Sequence, residues 1–463
     1  QDIKGYEDEW RKHQVSSVAR DIILYNNQKG TYTQLTDWNG EDRNPVLIDD
    51  KSYYFLSEKS GSFNIWKGSL DGSAYGQQIT DFKTHPIRFL SMASTGTLCF
   101  GYHGDIYTLE NGVSKKLEIT VFKDNTINDT QILPIGSNAS EFAVSADGKE
   151  VVFVHRGNVF ASSVEFGTTK QITFTAGQER NVSFSPDGKK ILYASERNNS
   201  WNIYEMKRTN DTEKFFYNST LLAETPLVET DKETFDPKYS PDGEEVAYLQ
   251  NRTTLCVYNL KTKVSREVLA GSYNYSYSDG DQYYTWSPDS KHLLVQFFEF
   301  ERWNTDIGIV NASGKEKPIN LTQSGYGSSW AKFAMDGEMV YYSTDKYGLR
   351  SHGSWGSQVD VEAIFLTKQA YYKFTLSEEE YKAWKEAEDE AKKEADKKSA
   401  DDKSKDKNKD KNDEKPVIKP ITIDLDGLQD RKVRLTIHSS NLSDYVLNNE
   451  ATEMYYLSNF DKG

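Results

Sequence analysis

One turn, repeated at a near-constant interval, limits what this chain can fold into more than any other feature. Residues 184–193 read Phe-Ser-Pro-Asp-Gly-Lys-Lys-Ile-Leu-Tyr, an apolar strand entering a tight turn and a second strand leaving it. In Ser185-Pro186-Asp187-Gly188, proline presets φ at the second turn position, aspartate tolerates the third, and glycine follows, the sequence form of a type I turn. Asn199-Ser200 then marks a second turn, Asn202-Ile203-Tyr204 a third strand and Leu227-Val228 a fourth. The anchor recurs at Asp147-Gly148, Asp242-Gly243, Asp289 and Asp336-Gly337, with weaker echoes at Asp49-Asp50 and Ser94-Thr95-Gly96. The interval of about forty to fifty-five residues is that of one four-stranded propeller blade.

The third and fourth strands echo one another as well. Asn64-Ile65-Trp66, Asp105-Ile106-Tyr107, Asn158-Val159-Phe160 and Asp306-Ile307-Gly308 share a polar residue before an apolar pair, and Gln78-Ile79-Thr80, Gln171-Ile172-Thr173 and Asn320-Leu321-Thr322 share a closing threonine. A single blade has two apolar faces and can bury neither alone, whereas radial stacking buries both and leaves short protected edges. A β-sandwich does not repeat a turn at this period. The fold class is therefore all-β, tandem β-propellers of four-stranded blades.

The pattern also predicts how the chain is divided. Residues 1–123 read as the closing blades of one propeller and 126–463 as a second, incomplete one, the latter beginning near Ile132-Leu133-Pro134-Ile135. Asp21 to Tyr25 and Tyr32 to Thr36 read as third and fourth strands without their first two, and Glu453 to Leu457 as a second strand, so both ends fall inside blades and the chain reads as an interior piece. After Tyr371-Tyr372-Lys373-Phe374 the period changes to helical. Ser377 and Glu380 have the spacing of a capping box, with Leu376 and Tyr381 placed to staple it, and the helix should run to about Lys398. Ser399 to Lys415 is too polar to order itself, so 377–415 reads as an insertion within a blade. Strand pattern resumes at Ile421 to Leu428 and at Lys432 to Thr436.

Chemistry is sought in vain. A net charge of -15 repels phosphate backbones and anionic lipid, and no apolar run reaches the ~18 residues of a membrane span. Cys99 and Cys256 lie far apart and read as small buried hydrophobes. Gly353-Ser354-Trp355-Gly356 lacks the spacing of a nucleophile elbow. His13, His85, His103, His155, His292, His352 and His438 are scattered over blade surfaces and turns. Asp49-Asp50 and Asp401-Asp402 fall in turns or linker, and the sequons at Asn138 and Asn320 are what an Asn-rich chain produces by chance. No catalytic residue, cofactor ligand or metal ligand is assigned, and no cofactor is expected.

The opening Gly5 to His13 with Ala19 to Ile22, the Gly40 to Pro45 and Ser60 to Trp66 segments, the split blade, and Ile423 to Arg431 with Val433 to Thr436 together resemble the tricorn protease family. That resemblance extends over essentially the whole chain. It implies two consecutive propellers followed by a PDZ domain and a serine-peptidase core of the tail-specific type, with the catalytic serine and histidine beyond Gly463. It also implies oligopeptide substrates passing through propeller channels, a hexameric homo-oligomer, and a periplasmic or secreted setting with a cytoplasmic one as the alternative. This piece alone would be inactive. A non-catalytic TolB-like propeller that binds a protein partner is the alternative from another class, and the propeller of a prolyl-oligopeptidase-like enzyme is a third.

Overall fold

A computed structural model describes residues 13, 19–73, 75–121, 139–299, 304–314, 316–350, 358–403 and 419–459. Seven antiparallel four-stranded sheets follow one another along the chain, each with its strands in chain order. They span 42–78, 88–116, 139–171, 179–228, 234–269, 284–320 and 328–434 and are blades 1 to 7 here. Two-stranded hairpins lie on either side, Ile23–Asn26 with Thr31–Gln34 and Asn441–Leu447 with Met454–Asn459.

The repeated turn has one hydrogen-bond plan. In blade 4, Gly188 N donates to Ser185 O at 2.9 Å, Ser185 Oγ donates to Asp187 at 2.6 Å, and Lys189 N donates to the same carboxylate at 3.1 Å. Ser145-Asp147 in blade 3, Ser240-Asp242 in blade 5 and Ser287-Asp289 in blade 6 repeat it. Gly148, Gly188 and Gly243 sit at φ of 69°, 66° and 74°, and Ser290 takes the same left-handed place in blade 6 at 60°. The serine and aspartate thus satisfy turn donors that no ladder reaches.

A second device closes the blade. The threonine ending the fourth strand lies beside the start of the third, where Thr80 Oγ1 accepts from Ile65 N at 2.9 Å and donates to Asn64 at 2.9 Å. Thr322 does the same with Ile307 N and Asp306, and Thr436 with Val361 N and Asp360. The sequence echoes of the third and fourth strands are the two halves of this clasp.

Within blades 1 and 2, and from blade 3 to blade 7, consecutive sheets stack through apolar seams. One seam takes Ala194 and Trp201 from blade 4, Phe235, Ala247, Leu249 and Val257 from blade 5, and Tyr284, Trp286, Leu293 and Phe297 from blade 6. Another joins Leu294, Ile307 and Leu321 of blade 6 to Ala331, Val340, Tyr342 and Ile364 of blade 7. Burying a side chain of this size contributes about 1.5–3 kcal/mol. The architecture is the all-β propeller that the repeats predict.

Blade 7 corrects the sequence reading in three places. Tyr371 to Phe374 is not the end of a strand but the last turn of α1 (Lys368–Phe374), capped by Thr367 Oγ1 accepting from Ala370 N at 3.1 Å. Its aromatic spacing serves a helix face, since Tyr371 and Phe374 both pack on Phe365. α2 (Glu378–Lys403) opens with the capping box, as Ser377 N donates to Glu380 at 2.9 Å and Glu380 N to Ser377 Oγ at 3.3 Å. It runs beyond Lys398, so Ser399, Asp401 and Asp402 are helical and not linker.

Third, Ile421 to Leu425 joins no sheet. Ile421 N donates to Asp289 Oδ2 at 2.9 Å, and Asp424 N to Leu366 O at 2.8 Å, so its backbone is satisfied across blades. Its isoleucines cover the seam between blades 6 and 7. Gly427, at φ 65°, then turns the chain into the short fourth strand Lys432–Arg434. Gly5 to Lys12, Ile132 to Ile135 and Gly353 to Gly356 lie outside the described residues.

Candidate functional site

The first strands of blades 1 and 2, of blades 3, 4 and 5, and of blades 6 and 7 pack against one another, so these strands form the inner wall. Six of the first strands carry a register shift, between Arg43 and Val46, Arg88 and Ser91, Ala139 and Glu141, Arg180 and Ser183, Phe235 and Lys238, and Ser329 and Lys332. Outside blade 3 each shift holds one left-handed residue: Asn44 at φ 53°, Phe89 at 57°, Asn181 at 57°, Asp236 at 48° and Trp330 at 56°. A bulge re-aims side chains and bends the strand. Asparagine and aspartate tolerate this backbone, whereas for a bulky residue it costs roughly 1–2 kcal/mol.

From blade 3 to the last hairpin, the wall is bonded blade to blade. Glu141 accepts from Arg180 Nε at 3.2 Å and from Asn181 N. Asn181 Oδ1 accepts from Asp236 N at 3.2 Å, and Ser183 Oγ donates to Pro237 O at 2.8 Å. Lys238 Nζ reaches Asp236 at 2.9 Å and Tyr284 O at 3.1 Å. Tyr283 then meets Trp330 with ring centroids 5.0 Å apart. Lys332 Nζ donates to Tyr445 O at 2.7 Å and lies 3.5 Å from Asp444, which brings in the hairpin Asn441–Leu447.

A ladder of ion pairs extends from the wall through Arg180. Asp279, in the segment 271–283, joins Arg180 at 3.1 Å to Arg252 at 2.7 Å, and Arg252 also bonds Glu233. Glu58, on a loop of blade 1, is in turn electrostatically coupled to Glu233. Burial pushes the Glu58 carboxyl up to about 7, with Glu41 and Glu233 adding to the effect and His13 N and Arg43 opposing it. Asp42, at the head of the blade 1 wall strand, is pushed up to about 6 by burial, although Ser57, Tyr75, Thr36 and Trp38 hydrogen-bond it.

The residues weighed in the sequence fall elsewhere. His85 and His103 are not scattered, since their rings stack with centroids 4.0 Å apart. His292 Nδ1 lies 3.7 Å from Asp289 at the blade 6 turn, and His155 packs edge-on against Phe160. His352 lies outside the described residues. Asp49 Oδ1 accepts from Lys51 N and Ser52 N at 2.8 Å, a turn role. Asn320 is held in the blade 6 clasp region by Glu299 and Asp306. Cys256 is buried, and burial pushes its thiol up to about 11; Cys99 is only half-buried. Among the described residues no group of three or more His, Cys, Asp or Glu could hold a metal ion. No helix there is long and apolar enough to cross a membrane.

Sequence reasoning passed over the wall itself. Its only sequence signal is a polar or aromatic residue, three or four places before each turn, where strand alternation calls for a β-branched one.

No family model matches the chain. A tricorn protease homolog of Saccharolobus solfataricus is 23% identical over 345 residues, covering 73% of this chain and 29% of its own length. A protein of Sulfurisphaera tokodaii described as a tricorn-like protease C-terminal subunit is 24% identical over 322 residues, covering 68% of this chain and 34% of its own. The chain is thus similar to tricorn proteases over about 70% of its length. It spans about a third of the length of these tricorn relatives. Among solved structures, the crystal structure of the tricorn protease aligns with 94% of this chain and 38% of its own, at 14% identity and a TM-score of 0.44.

Proposed function

We propose that this chain is the substrate-guiding propeller portion of a tricorn-like serine peptidase that degrades oligopeptides. The wall of bulged first strands, bonded blade to blade from Glu141 to Asp444, carries this reading. Its charges are already paired, Arg180 and Lys332 with neighbouring elements and Lys238 with Asp236 of its own strand, so it keeps its shape without a ligand and presents a polar and aromatic lining. In this reading the channel it lines is narrow, so it admits an extended chain, whose backbone groups it can meet, and rejects a folded domain by size.

In this reading the hydrolytic serine and its base belong to a part of the polypeptide outside these 463 residues. Hexameric assembly and a periplasmic or secreted setting belong to the same proposal. The test is hydrolysis of unstructured fluorogenic oligopeptides by the full-length protein, with and without a serine-directed organophosphate. Cleavage abolished by the reagent supports the proposal; a full-length protein that cleaves no such peptide sinks it.

A further inference from the structure

In two blades the bulge residue has a structural task. Asn181 Oδ1 accepts from the bulge backbone of blade 5, and Asp236 holds Lys238. In blade 7 the corresponding tie is made through the backbone: Tyr445 Oη donates to Trp330 O at 2.7 Å and lies 3.3 Å from Ser329 O. The indole of Trp330 is not needed for that tie. It nevertheless stands on left-handed backbone at φ 56°, where asparagine would be easier, and it remains 53% exposed. An exposed ring kept at a strained position points to a role in contact rather than in packing.

The surroundings say what kind of contact. Tyr283 meets the indole at 5.0 Å with the planes inclined by 57°. The lysines beside this pair are neutralised, Lys238 by Asp236 at 2.9 Å and Lys332 by Asp444 at 3.5 Å. A charged side chain arriving there would have to break one of these pairs, whereas an apolar one would not.

The segment leading to Tyr283 carries Tyr273, Tyr275 and Tyr277 among Ser, Gly and Asn. That composition suits recognition, because tyrosine offers large contact area at small entropic cost. Its base is fixed by the Asp279 pairs and by Asn274 Nδ2 donating to Thr253 O at 2.7 Å, so the surface is preorganised. We propose that Trp330 and Tyr283 form a subsite for an apolar or aromatic side chain of an extended peptide. This rests on the peptide-guiding reading above.

The test uses the full-length protein and two labelled Gly/Ser-rich peptides that differ by one Phe or Ser, with binding read by fluorescence anisotropy. The wild type should prefer the Phe peptide roughly tenfold, the value of one aromatic contact. Trp330→Asn should cut the preference to about twofold or less, with an equal or higher melting temperature, since asparagine suits this backbone. Tyr283→Ala, the second variant, should lower the preference severalfold. A preference unchanged in either folded variant overturns the subsite and leaves the guiding role standing. A wild type that binds neither peptide overturns both.

Discussion

Asp360 is the residue whose loss should most clearly loosen the split blade. It is fully buried at the start of the third strand of blade 7, Asp360–Phe365. It accepts from Thr436 Oγ1 at 2.6 Å, Ser439 Oγ at 2.7 Å, and Arg434 Nε and Nη2 at 3.0 and 2.8 Å. The fourth strand it holds is only Lys432–Arg434, reached after both helices, so few ladder bonds share the task. Asp360→Ala strands the Thr436 hydroxyl, which is 5% exposed, at about 1–3 kcal/mol, eased because Val361 N still donates to it. The Arg434 contribution is discounted, since that side chain is 33% exposed and regains water.

The sum is about 2 kcal/mol, which lowers amide-exchange protection around Ala363 and Val433 roughly thirtyfold. Hydrogen exchange on the full-length protein reads this directly, with Asp360→Asn as the control that keeps shape and one acceptor and should lose about tenfold. Protection that stays within about threefold of wild type in Asp360→Ala would refute the clasp as the element that secures the fourth strand.

Three further outcomes are expected. Gly188→Ala should destabilise by about 1–2 kcal/mol in urea titration, because φ is 66° and nothing within 4 Å would add a steric term; a neutral result would contradict the turn argument. Glu58, whose folded pKa is raised to about 7 from 4.5, binds more protons folded than unfolded, so its contribution is complete below about pH 4.5 and is lost as pH rises through 7. Glu58→Gln should therefore gain stability over wild type at pH 8 and little at pH 4, and a gain independent of pH would count against the assignment. Replacing 377–415 by a short Gly-Ser linker should leave the melting temperature within a few degrees, since α2 is tied by the exposed pair of Lys385 and Glu450 and by Lys373 over Trp384, and shortening a loop costs little.

The fold was legible because it is written redundantly. Ser185, Asp187 and Gly188 specify a turn through local bonds, and Asn64 with Thr80 specifies a strand pairing, so the same short signals recur in blade after blade. Tyr371 to Phe374 misled because four aromatic and basic residues suit a strand face or a helix face, and only the packing onto Phe365 decides. Ile421 and Ile423 misled for a related reason: their alternation is real, but it covers a seam between two blades and pairs with neither. The wall was illegible because its register shifts arise from pairing between strands, so Asn181, Asp236 and Trp330 look unrelated until the bulges align them. The stack of His85 on His103 likewise depends on two loops meeting.

The most direct test of the peptide-guiding wall is photo-crosslinking on the full-length protein, with an unstructured peptide carrying a benzophenone residue. The account predicts adducts on first-strand residues, among them Asn181, Asp236 and Trp330, and few on the exposed fourth-strand edges. Adducts confined to outer edges or to α2, with none on the first strands, would contradict it.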